Sequence, residues 1–325
     1  MRRRDFIQSG LALAFSSPGA AWAQQAPIPT VGFLHSGAAA TNAKRVAGFR
    51  KGLTDGGFVE GKNVSIEFRW AEGKDERVAG LAADLVQRRV SVIATLSSTV
   101  SAVAARKETA TIPIYFLIAD APEQLGLVQS LNHPGGNATG IVTLAAEAAA
   151  KRFGLLHQLT TQNPNTALLI KPSHPSAKPV TASVQATAER LGVSVAVLEA
   201  SNEAELEQVF GRLSPGTPMM VGTDPLFFAR RGKLVALAAS QKVLAIYDSR
   251  EFVEAGGLIS YGPNHVKLWE QAGGFVARIL KGERPAELPV LQAESFELVV
   301  NLGAAKDLAF SIPDRILALA TDVIE

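Results

Sequence analysis

The sequence contains no cysteine among its 325 residues. Disulfide bonds, thiolate metal ligands and a lipid-modified N-terminal cysteine are therefore excluded. After residue 23, no apolar run approaches the roughly 20 residues that a helix needs to cross a bilayer. We therefore predict that the mature chain does not insert into a membrane.

The sequence also lacks an excess of charge of either sign. It has 32 Lys and Arg residues against 30 Asp and Glu residues, and residues 1–23 contain three of the basic residues and one of the acidic ones. The remaining chain therefore has a formal charge of zero. A neutral surface gives no electrostatic reason to expect nucleic acid or an anionic membrane as a partner.

Catalytic signatures are scarce too. The sequence has no G-x-S-x-G motif, no P-loop, no H-E-x-x-H motif and no G-x-G-x-x-G motif after its first predicted strand. The five histidines, at positions 35, 133, 157, 174 and 265, include no pair at metal-ligand spacing. We expect no metal and no cofactor, and we favour a binding protein over an enzyme. A reaction carried out by Asp and Ser side chains alone stays open as the alternative.

The N-terminus has the pattern of a cleavable signal peptide. Three arginines at positions 2 to 4 precede an apolar run from Phe6 to Phe15, which gives way to small residues ending in Ala23. The string RRDFI (residues 3–7) resembles a twin-arginine export signal. We therefore predict export to the periplasm and cleavage after Ala23. The alternative, an ordinary N-terminal helix, is disfavoured because these residues offer no polar face and no helix cap.

The rest of the chain alternates short runs of Val, Ile and Leu with amphipathic helical stretches. This alternation is typical of buried parallel strands joined by helices, so the predicted fold class is α/β. Predicted strands of a first series cover residues 31–35, 64–70, 92–96, 114–118 and 139–144; those of a second series cover 166–171, 193–199, 218–222, 244–247 and 258–261. Helices near 146–160, 176–192, 202–213 and 225–241 are expected between the strands of the second series. About 300 mature residues exceed what one core usually serves, which favours two doubly wound lobes.

The C-terminal elements are too few for a third domain. They comprise a predicted helix at about 264–281, a strand at 296–301 and a last helix. We expect them to return the chain to the first lobe and then to the second, so that several segments form a hinge. The predicted lobes are residues 28–142 with about 263–290, and residues 143–262 with about 291–325.

Four strings of the sequence resemble one known family. They are GFVEGKNVSIEFRWAEGKDERVAGLAADLV (57–86), HPGGNATGIVTL (133–144), IYDSREFVEAGGLISYGP (246–263) and RILKGERPAELPVLQAESFELVVNL (278–302). Together they resemble the ABC transporter substrate-binding proteins typified by tryptophan- and tyrosine-type uptake proteins. The resemblance implies a type I periplasmic binding protein, with two lobes, three crossover segments and a ligand held between the lobes.

Candidate site residues follow from the geometry of parallel sheets. Loops at the carboxyl ends of the strands face the ligand crevice, where helix N-termini also offer unpaired N–H groups. Residues at those positions are His35, Ser36, Ser97, Ser98, Thr99, Ala119, Asp120, Ser173, Thr223, Asp224 and Asp248, with Tyr247 and Tyr261 beside the hinge.

Each group of candidates has a chemical role and a structural alternative. The hydroxyls of residues 97–99 suit a ligand carboxylate, or one of them simply caps the helix that follows. Asp248 or Asp224 suits a ligand ammonium, and we predict that Asp248→Ala abolishes binding of an amine; either Asp alternatively caps a helix. Tyr247 and Tyr261 suit stacking on an aromatic or apolar ligand, or packing at the hinge.

The function predicted from these observations is capture of a small polar or aromatic molecule, amino-acid-like, for ABC permease subunits. Closure of the lobes about the hinge would hold the ligand. We expect a monomer, because the protein must diffuse to a permease. An amide, a carboxylate from aromatic breakdown or a sugar derivative stays open as cargo. The alternatives are an α/β enzyme acting on a small metabolite and a ligand-sensing partner of a receptor.

Overall fold

The computed structural model of the chain describes residues 28–160 and 165–325. The predicted signal peptide, at 1–23, lies outside these residues. Two sheets, each covered by helices on both faces, form the described part of the protein. This architecture confirms the predicted α/β fold class with two doubly wound lobes. We call the lobe around the six-stranded sheet lobe 1 and the lobe around the seven-stranded sheet lobe 2.

The sheet of lobe 1 is parallel throughout, in the order β11-β5-β4-β3-β1-β2. Its strands are β1 (Thr30–His35), β2 (Ser65–Trp70), β3 (Val92–Leu96), β4 (Ile114–Ile118), β5 (Ala138–Val142) and β11 (Leu291–Gln292). Three of them, β3, β4 and β5, are buried along their whole length. Helices cover both faces of the sheet, so both faces of these strands are buried. This explains why their sequences are continuous apolar runs.

The helices of lobe 1 are α1 (Ala43–Asp55), α2 (Val78–Gln87), α3 (Thr99–Glu108) and α10 (His265–Leu280). Helices α1 and α10 pack on one face, and α2 and α3 on the other. The first two approach each other closely at glycines: a Cβ on Gly52 would lie 1.8 Å from the Glu270 carbonyl oxygen, and one on Gly273 would lie 2.2 Å from the Phe49 carbonyl oxygen. This close contact fixes α10, a late segment of the chain, on lobe 1.

The sheet of lobe 2 has the order β13-β12-β10-β9-β8-β6-β7. Its strands are β6 (Asn165–Ile170), β7 (Ser194–Glu199), β8 (Pro218–Val221), β9 (Leu244–Tyr247), β10 (Ile259–Pro263), β12 (Phe296–Asn301) and β13 (Asp322–Ile324). The pairing of β10 with β12 is antiparallel, and the other pairings are parallel.

The helices of lobe 2 are α4 (Ala145–Leu159), α5 (Ala177–Leu191), α6 (Glu203–Phe210), α7 (Pro225–Ala229), α8 (Arg231–Ser240), α9 (Arg250–Glu254), α11 (Leu302–Asp307) and α12 (Asp314–Leu317). The chain passes between the lobes three times: after β5, after β10 and after β11. None of the helices in the described residues is long and apolar enough to span a membrane.

Two element predictions were wrong. The single helix expected at 225–241 is broken at Arg230, whose backbone leaves the helical region (φ −100°, ψ 16°) while its guanidinium pairs with Glu203. The single last helix is instead α11, α12 and the short strand β13. Ala309 explains the end of α11, because its backbone is left-handed (φ 53°) and cannot continue a helix.

Candidate functional site

A cavity of about 570 Å³, part of it open to solvent, lies between the two lobes. Ligand cavities commonly measure about 300–1,000 Å³, so this one has room for a small metabolite. Lobe 1 lines it with His35, Asn42, Arg45, Ser97, Thr99, Leu117, Ile118, Ala119 and His265, lobe 2 with His174, Thr223, Asp224, Pro225, Phe228 and Asp248, and the first crossover with Thr143. Every lobe contributes residues from the carboxyl ends of its strands, as open α/β sheets require.

Seven of the residues predicted from the sequence line this cavity. They are His35, Ser97, Thr99, Ala119, Thr223, Asp224 and Asp248. They follow β1, β3, β4, β8 and β9, so the structure brings together residues that lie more than 200 positions apart in the chain.

Six predicted residues lie away from the cavity wall: Ser36, Ser98, Asp120, Ser173 and the two tyrosines, Tyr247 and Tyr261. Ser98 is buried behind it, where its Oγ accepts a hydrogen bond from the Ser101 N–H (3.3 Å) and lies 2.9 Å from the Ser36 Oγ. Asp120 accepts a hydrogen bond from the Thr99 Oγ1 (2.7 Å) and faces a neighbouring groove, while Ser173 is exposed. The hydroxyls of residues 97–99 therefore do not face the cavity together. The middle one, on Ser98, caps α3, and its Oγ is hydrogen-bonded within lobe 1.

The predicted stacking role of the two tyrosines is corrected by their packing. Tyr247 lies in the core of lobe 2, where its ring stacks on Phe252 at 4.7 Å between ring centroids. Tyr261 stacks on Phe296 at 5.6 Å. Neither lines the inter-lobe cavity. Successive residues of a strand point to opposite faces, so Tyr247 turns into the core while Asp248 reaches the cavity.

Sequence reasoning missed several residues of the wall. His265 comes two residues after β10, and the strand-end rule could have found it. Arg45 lies on α1 and Phe228 lies on α7. No sequence pattern shows which side chains of these two helices face the cavity. The remaining missed residues are Asn42, Leu117, Ile118, Thr143 and Pro225.

His35 is held in one neutral form. Its Nδ1 accepts a hydrogen bond from the Gly37 N–H at 2.7 Å, so the ring proton is on Nε2. Burial, with help from the positive charge of Arg45, lowers the pKa of His35 to about 3. Within the described residues, Nε2 has no hydrogen-bond partner. The cavity wall therefore contains an uncharged N–H donor.

The start of α3 has an unusual backbone. Ser97 has a φ of 55°. Residues other than Gly adopt this left-handed backbone conformation only at a cost in free energy. Trp269 holds it there, because its indole Nε1 donates a hydrogen bond to the Ser97 Oγ at 2.9 Å. The same Oγ lies 3.4 Å from the Nδ1 of His265, whose pKa burial and Arg45 lower to about 3. Apart from Arg45, which pairs with Glu251, lobe 1 thus presents uncharged polar side chains to the cavity.

Asp224 is the unpaired acid of the cavity. Its Oδ1 accepts a hydrogen bond from the Leu226 N–H at 2.6 Å and so caps α7. Its Oδ2 is buried and has no partner among the residues described. Burial raises the pKa of Asp224 to about 6, although Lys171 nearby acts in the opposite direction. A carboxylate in this state is a strong acceptor for a ligand cation.

Asp248 has a different environment. Burial raises its pKa, but the charge of Arg152 and a hydrogen bond from Thr223 oppose this change. Arg152 is itself buried, and its Nε donates to the Tyr261 carbonyl oxygen at 2.9 Å. The charge of Asp248 is therefore partly offset within lobe 2, which makes Asp224, with its unpartnered Oδ2, the better candidate for contact with a ligand cation.

The lobes touch each other across the mouth of the cavity. Arg45 of lobe 1 forms a buried ion pair with Glu251 of lobe 2, with 2.7 Å between Nε and Oε1. Its guanidinium carbon also lies 3.7 Å from the ring centroid of Phe228. Burial alone would raise the pKa of Glu251, but Arg45 more than offsets it and lowers the pKa to about 2. This contact stabilises the closed arrangement of the lobes.

Two further ion pairs join the lobes nearer the surface. Lys171 of lobe 2 pairs with Asp75 of lobe 1 at 2.8 Å, and Lys44 of lobe 1 pairs with Glu254 of lobe 2 at 2.7 Å. The Lys44–Glu254 pair is exposed, and pairs of this kind contribute little, about 0 to 1 kcal/mol. The Arg45–Glu251 pair is the better protected of the three from water and salt.

The cavity combines one unpaired carboxylate, neutral hydrogen-bonding groups and an apolar surface. Leu117, Ile118 and Phe228 supply the apolar surface. A zwitterionic molecule with an apolar or aromatic body matches these features. Among residues 28–160 and 165–325, there is no group of three or more His, Asp or Glu side chains that could hold a metal ion.

Comparison with known proteins places this geometry in context. A family model described as ABC transporter substrate binding protein matches residues 36–324. A tyrosine-binding protein of Clostridioides difficile is 27% identical over 266 residues, which cover 82% of this chain and 76% of that protein.

Solved structures share the fold. The ABC domain in complex with L-Trp from Streptococcus pneumoniae superposes with a TM-score of 0.81, at 24% identity, over 91% of this chain and 99% of that one. The ligand-free, open structure of a substrate-binding protein with adhesive properties from Clostridium difficile superposes with a TM-score of 0.66, at the same identity and coverage.

Proposed function

The chain belongs to the ABC transporter substrate-binding protein family, as the resemblance in its motifs predicted, and from this premise we propose that it captures a free amino acid between its lobes. The observation that carries the proposal is the buried Oδ2 of Asp224, which lines the cavity and has no partner in the described part of the chain. An ammonium group would balance this charge. A buried, unbalanced charge costs free energy, and an ammonium partner recovers it.

The apolar part of the cavity supports an aromatic or large apolar side chain on that amino acid. Phe228 offers a ring from lobe 2, and Leu117 and Ile118 offer aliphatic surface from lobe 1. Of the similar proteins, one is a tyrosine-binding protein and another was solved in complex with L-Trp. We take aromatic amino acids as the first class to test.

We propose that the ligand closes the lobes and that the permease subunits of an ABC transporter recognise the closed surface. Lobe 1 would consist of residues 28–142 with about 263–290, and lobe 2 of residues 143–262 with about 291–325. The pair formed by Arg45 and Glu251 supports this mechanism, because an opening movement would break it. A ligand shifts such an equilibrium only by its difference in affinity for the two states.

We also propose that the protein works in the periplasm as a monomer, after export by a twin-arginine signal and cleavage after Ala23. The arginines at positions 2 to 4 and the weakly apolar run from Phe6 to Phe15 support export. Mass spectrometry of the protein recovered from the periplasm tests this point. A mature chain that begins at Gln24 is expected, and a chain that retains Met1 would contradict it.

A binding role without turnover is part of the proposal. The cavity holds its polar groups in hydrogen bonds and ion pairs that serve binding, such as Gly37 N–H to His35 and Arg45 to Glu251. Incubation with a bound amino acid, followed by chromatography, should return the amino acid unchanged.

The decisive experiment compares each amino acid with its N-acetyl derivative. Thermal-shift screening should show stabilisation by a free aromatic amino acid, worth about 2.7 kcal/mol at 100 times the dissociation constant. The N-acetyl derivative lacks the positive charge and should give no shift. Stabilisation by the acetylated form alone, or by no amino acid in the set, would contradict the proposed function.

A further inference from the structure

The loop between β1 and α1 fixes the side chain of Asn42 in one orientation. Its Nδ2 donates hydrogen bonds to the Ala38 carbonyl oxygen (2.9 Å) and to the Thr41 Oγ1 (3.3 Å). A carbonyl oxygen only accepts, so the amide nitrogen must face the loop and the Oδ1 must face away. Asn42 is 2% exposed and lines the cavity. Its Oδ1 has no partner in the residues that the structure describes.

The same loop fixes His35. The Gly37 N–H occupies its Nδ1, which leaves the Nε2–H as a donor. This nitrogen is likewise buried and unpartnered within the described ranges. Both side chains border Gly37: a Cβ placed there would lie 2.9 Å from the His35 Cε1 and 3.8 Å from the Asn42 Nδ2. Two side chains that border the same glycine therefore contribute one unpartnered donor and one unpartnered acceptor to the lobe 1 side of the cavity.

Buried polar atoms of this kind are normally paired, since leaving them unpaired costs free energy. We propose that His35 and Asn42 form a specificity subsite for an uncharged ligand group that both accepts and donates a hydrogen bond. A phenolic hydroxyl and a carboxamide share this chemistry. The inference deepens the proposed function and rests on it, because it places the far end of the same ligand opposite Asp224.

Charged groups do not fit this subsite. A carboxylate there would face the lone pairs of the Asn42 Oδ1, and an ammonium would face the N–H of His35 and the positive charge of Arg45. The carbonyl of an amide would accept from His35 while its NH₂ donates to Asn42. A phenolic oxygen would do both at one atom.

Calorimetry with matched ligand pairs tests this inference. Tyrosine and phenylalanine differ by one hydroxyl, and glutamine and norleucine differ in the amide. Wild-type protein should bind the polar member of at least one pair about tenfold or more tightly. The pair that shows the preference identifies a phenol or an amide as the ligand group.

Two variants assign that preference to the subsite. In Asn42→Leu and His35→Phe, the ratio of affinities within the pair should fall below about threefold. The ratio has its own internal control, because a general loss of folding weakens both members equally. A preference that persists in both variants would overturn the inference.

The outcomes also separate this inference from the proposed function. Equal binding of both members of both pairs by wild-type protein would overturn the subsite and leave amino-acid capture standing. Failure of all four amino acids to bind would contradict the proposed function and the subsite with it. The wild-type comparison decides the question even where a variant does not fold.

Discussion

The two walls of the cavity recognise a ligand in different ways. Apart from Arg45, whose charge is paired with Glu251, the lobe 1 wall is uncharged: His35 and His265 are held neutral by burial and by Arg45, and Asn42 is fixed by the loop that contains it. The lobe 2 wall contains two buried carboxylates with raised pKa values, Asp224 and Asp248. Lobe 1 thus offers fixed neutral hydrogen bonds, and lobe 2 offers charge.

The difference shows how binding can be coupled to closure. Relative to its ordinary value of 3.8, the pKa of about 6 at Asp224 means that its ionised form costs about 3 kcal/mol in the folded protein. A ligand ammonium offsets that cost only while it lies between the lobes. In the proposed function, lobe 2 would therefore supply much of the binding energy, and lobe 1 would select the shape and the neutral groups of the ligand.

Asp224→Asn should produce the largest effect on this comparison. The variant keeps the helix cap, since Asn caps as well as Asp, but it removes the charge. We expect affinity for a free amino acid to fall about 100-fold, because hydrogen bonds to charged groups contribute about 1.5–3 kcal/mol. Calorimetry measures the change.

Asp248→Asn is the matched control for that variant. Asp248 already has Arg152 and Thr223 as partners, so its loss should weaken binding less than the loss of Asp224. This expectation revises the prediction from sequence that Asp248→Ala abolishes binding. A larger loss with Asp248→Asn would reverse the roles of the two carboxylates.

Arg45→Met should weaken binding by about tenfold or more, in the range of close charge pairs across protein interfaces. The variant leaves Glu251 buried without its partner in the closed form and so favours opening. Lys44→Met removes the exposed pair with Glu254 and should change affinity by less than about fivefold. Equal effects of the two variants would show that burial of the Arg45 pair does not matter for closure.

Acid should weaken amino-acid binding through Asp224. Below pH about 6 its carboxyl is protonated in the folded protein, so affinity should fall about tenfold per pH unit there and level off above that pH. Calorimetry between pH 4.5 and 8 measures the curve. Asp224→Asn should remove this dependence, and a wild-type curve flat down to pH 4.5 would contradict the assignment.

The stability of the ligand-free protein should depend on pH in the opposite direction through the same carboxyl of Asp224. A raised carboxyl pKa stabilises the fold below pH about 4 and loses this contribution as the pH rises through about 6. The lowered pKa values of His35 and His265 act the other way, because folding keeps them neutral. The difference in melting temperature between wild type and Asp224→Asn isolates the carboxyl, and it should favour the variant increasingly from pH 4 to pH 7.

Apart from the Lys44→Met control, Phe228→Leu should have the smallest effect of the series. Phe228 lies against two guanidiniums, with the Arg45 carbon 3.7 Å and the Arg231 carbon 4.6 Å from its ring centroid. Leucine keeps most of the apolar contact and loses the interaction with the cations, worth about 0.5–2 kcal/mol. We expect affinity to fall about fivefold in calorimetry. An unchanged affinity would show that the Phe228 ring contributes neither to ligand contact nor to closure of the lobes.

The sequence predicted more of the fold than of the site. Alternating strand and helix patterns predicted the α/β class, and the strand-end rule predicted Asp224 and Thr223 on the cavity wall. The same rule selected Tyr247, because position along a strand does not tell which face a side chain takes. Arg45 could not be predicted, since its place depends on how one lobe meets the other, which no local pattern encodes.

Small-angle X-ray scattering with and without a saturating amino acid tests the central claim most directly. We predict a smaller radius of gyration with ligand in the wild-type protein and no such compaction in Asp224→Asn at the same ligand concentration. A wild-type radius that does not change when calorimetry shows saturation would contradict capture by closure of the two lobes.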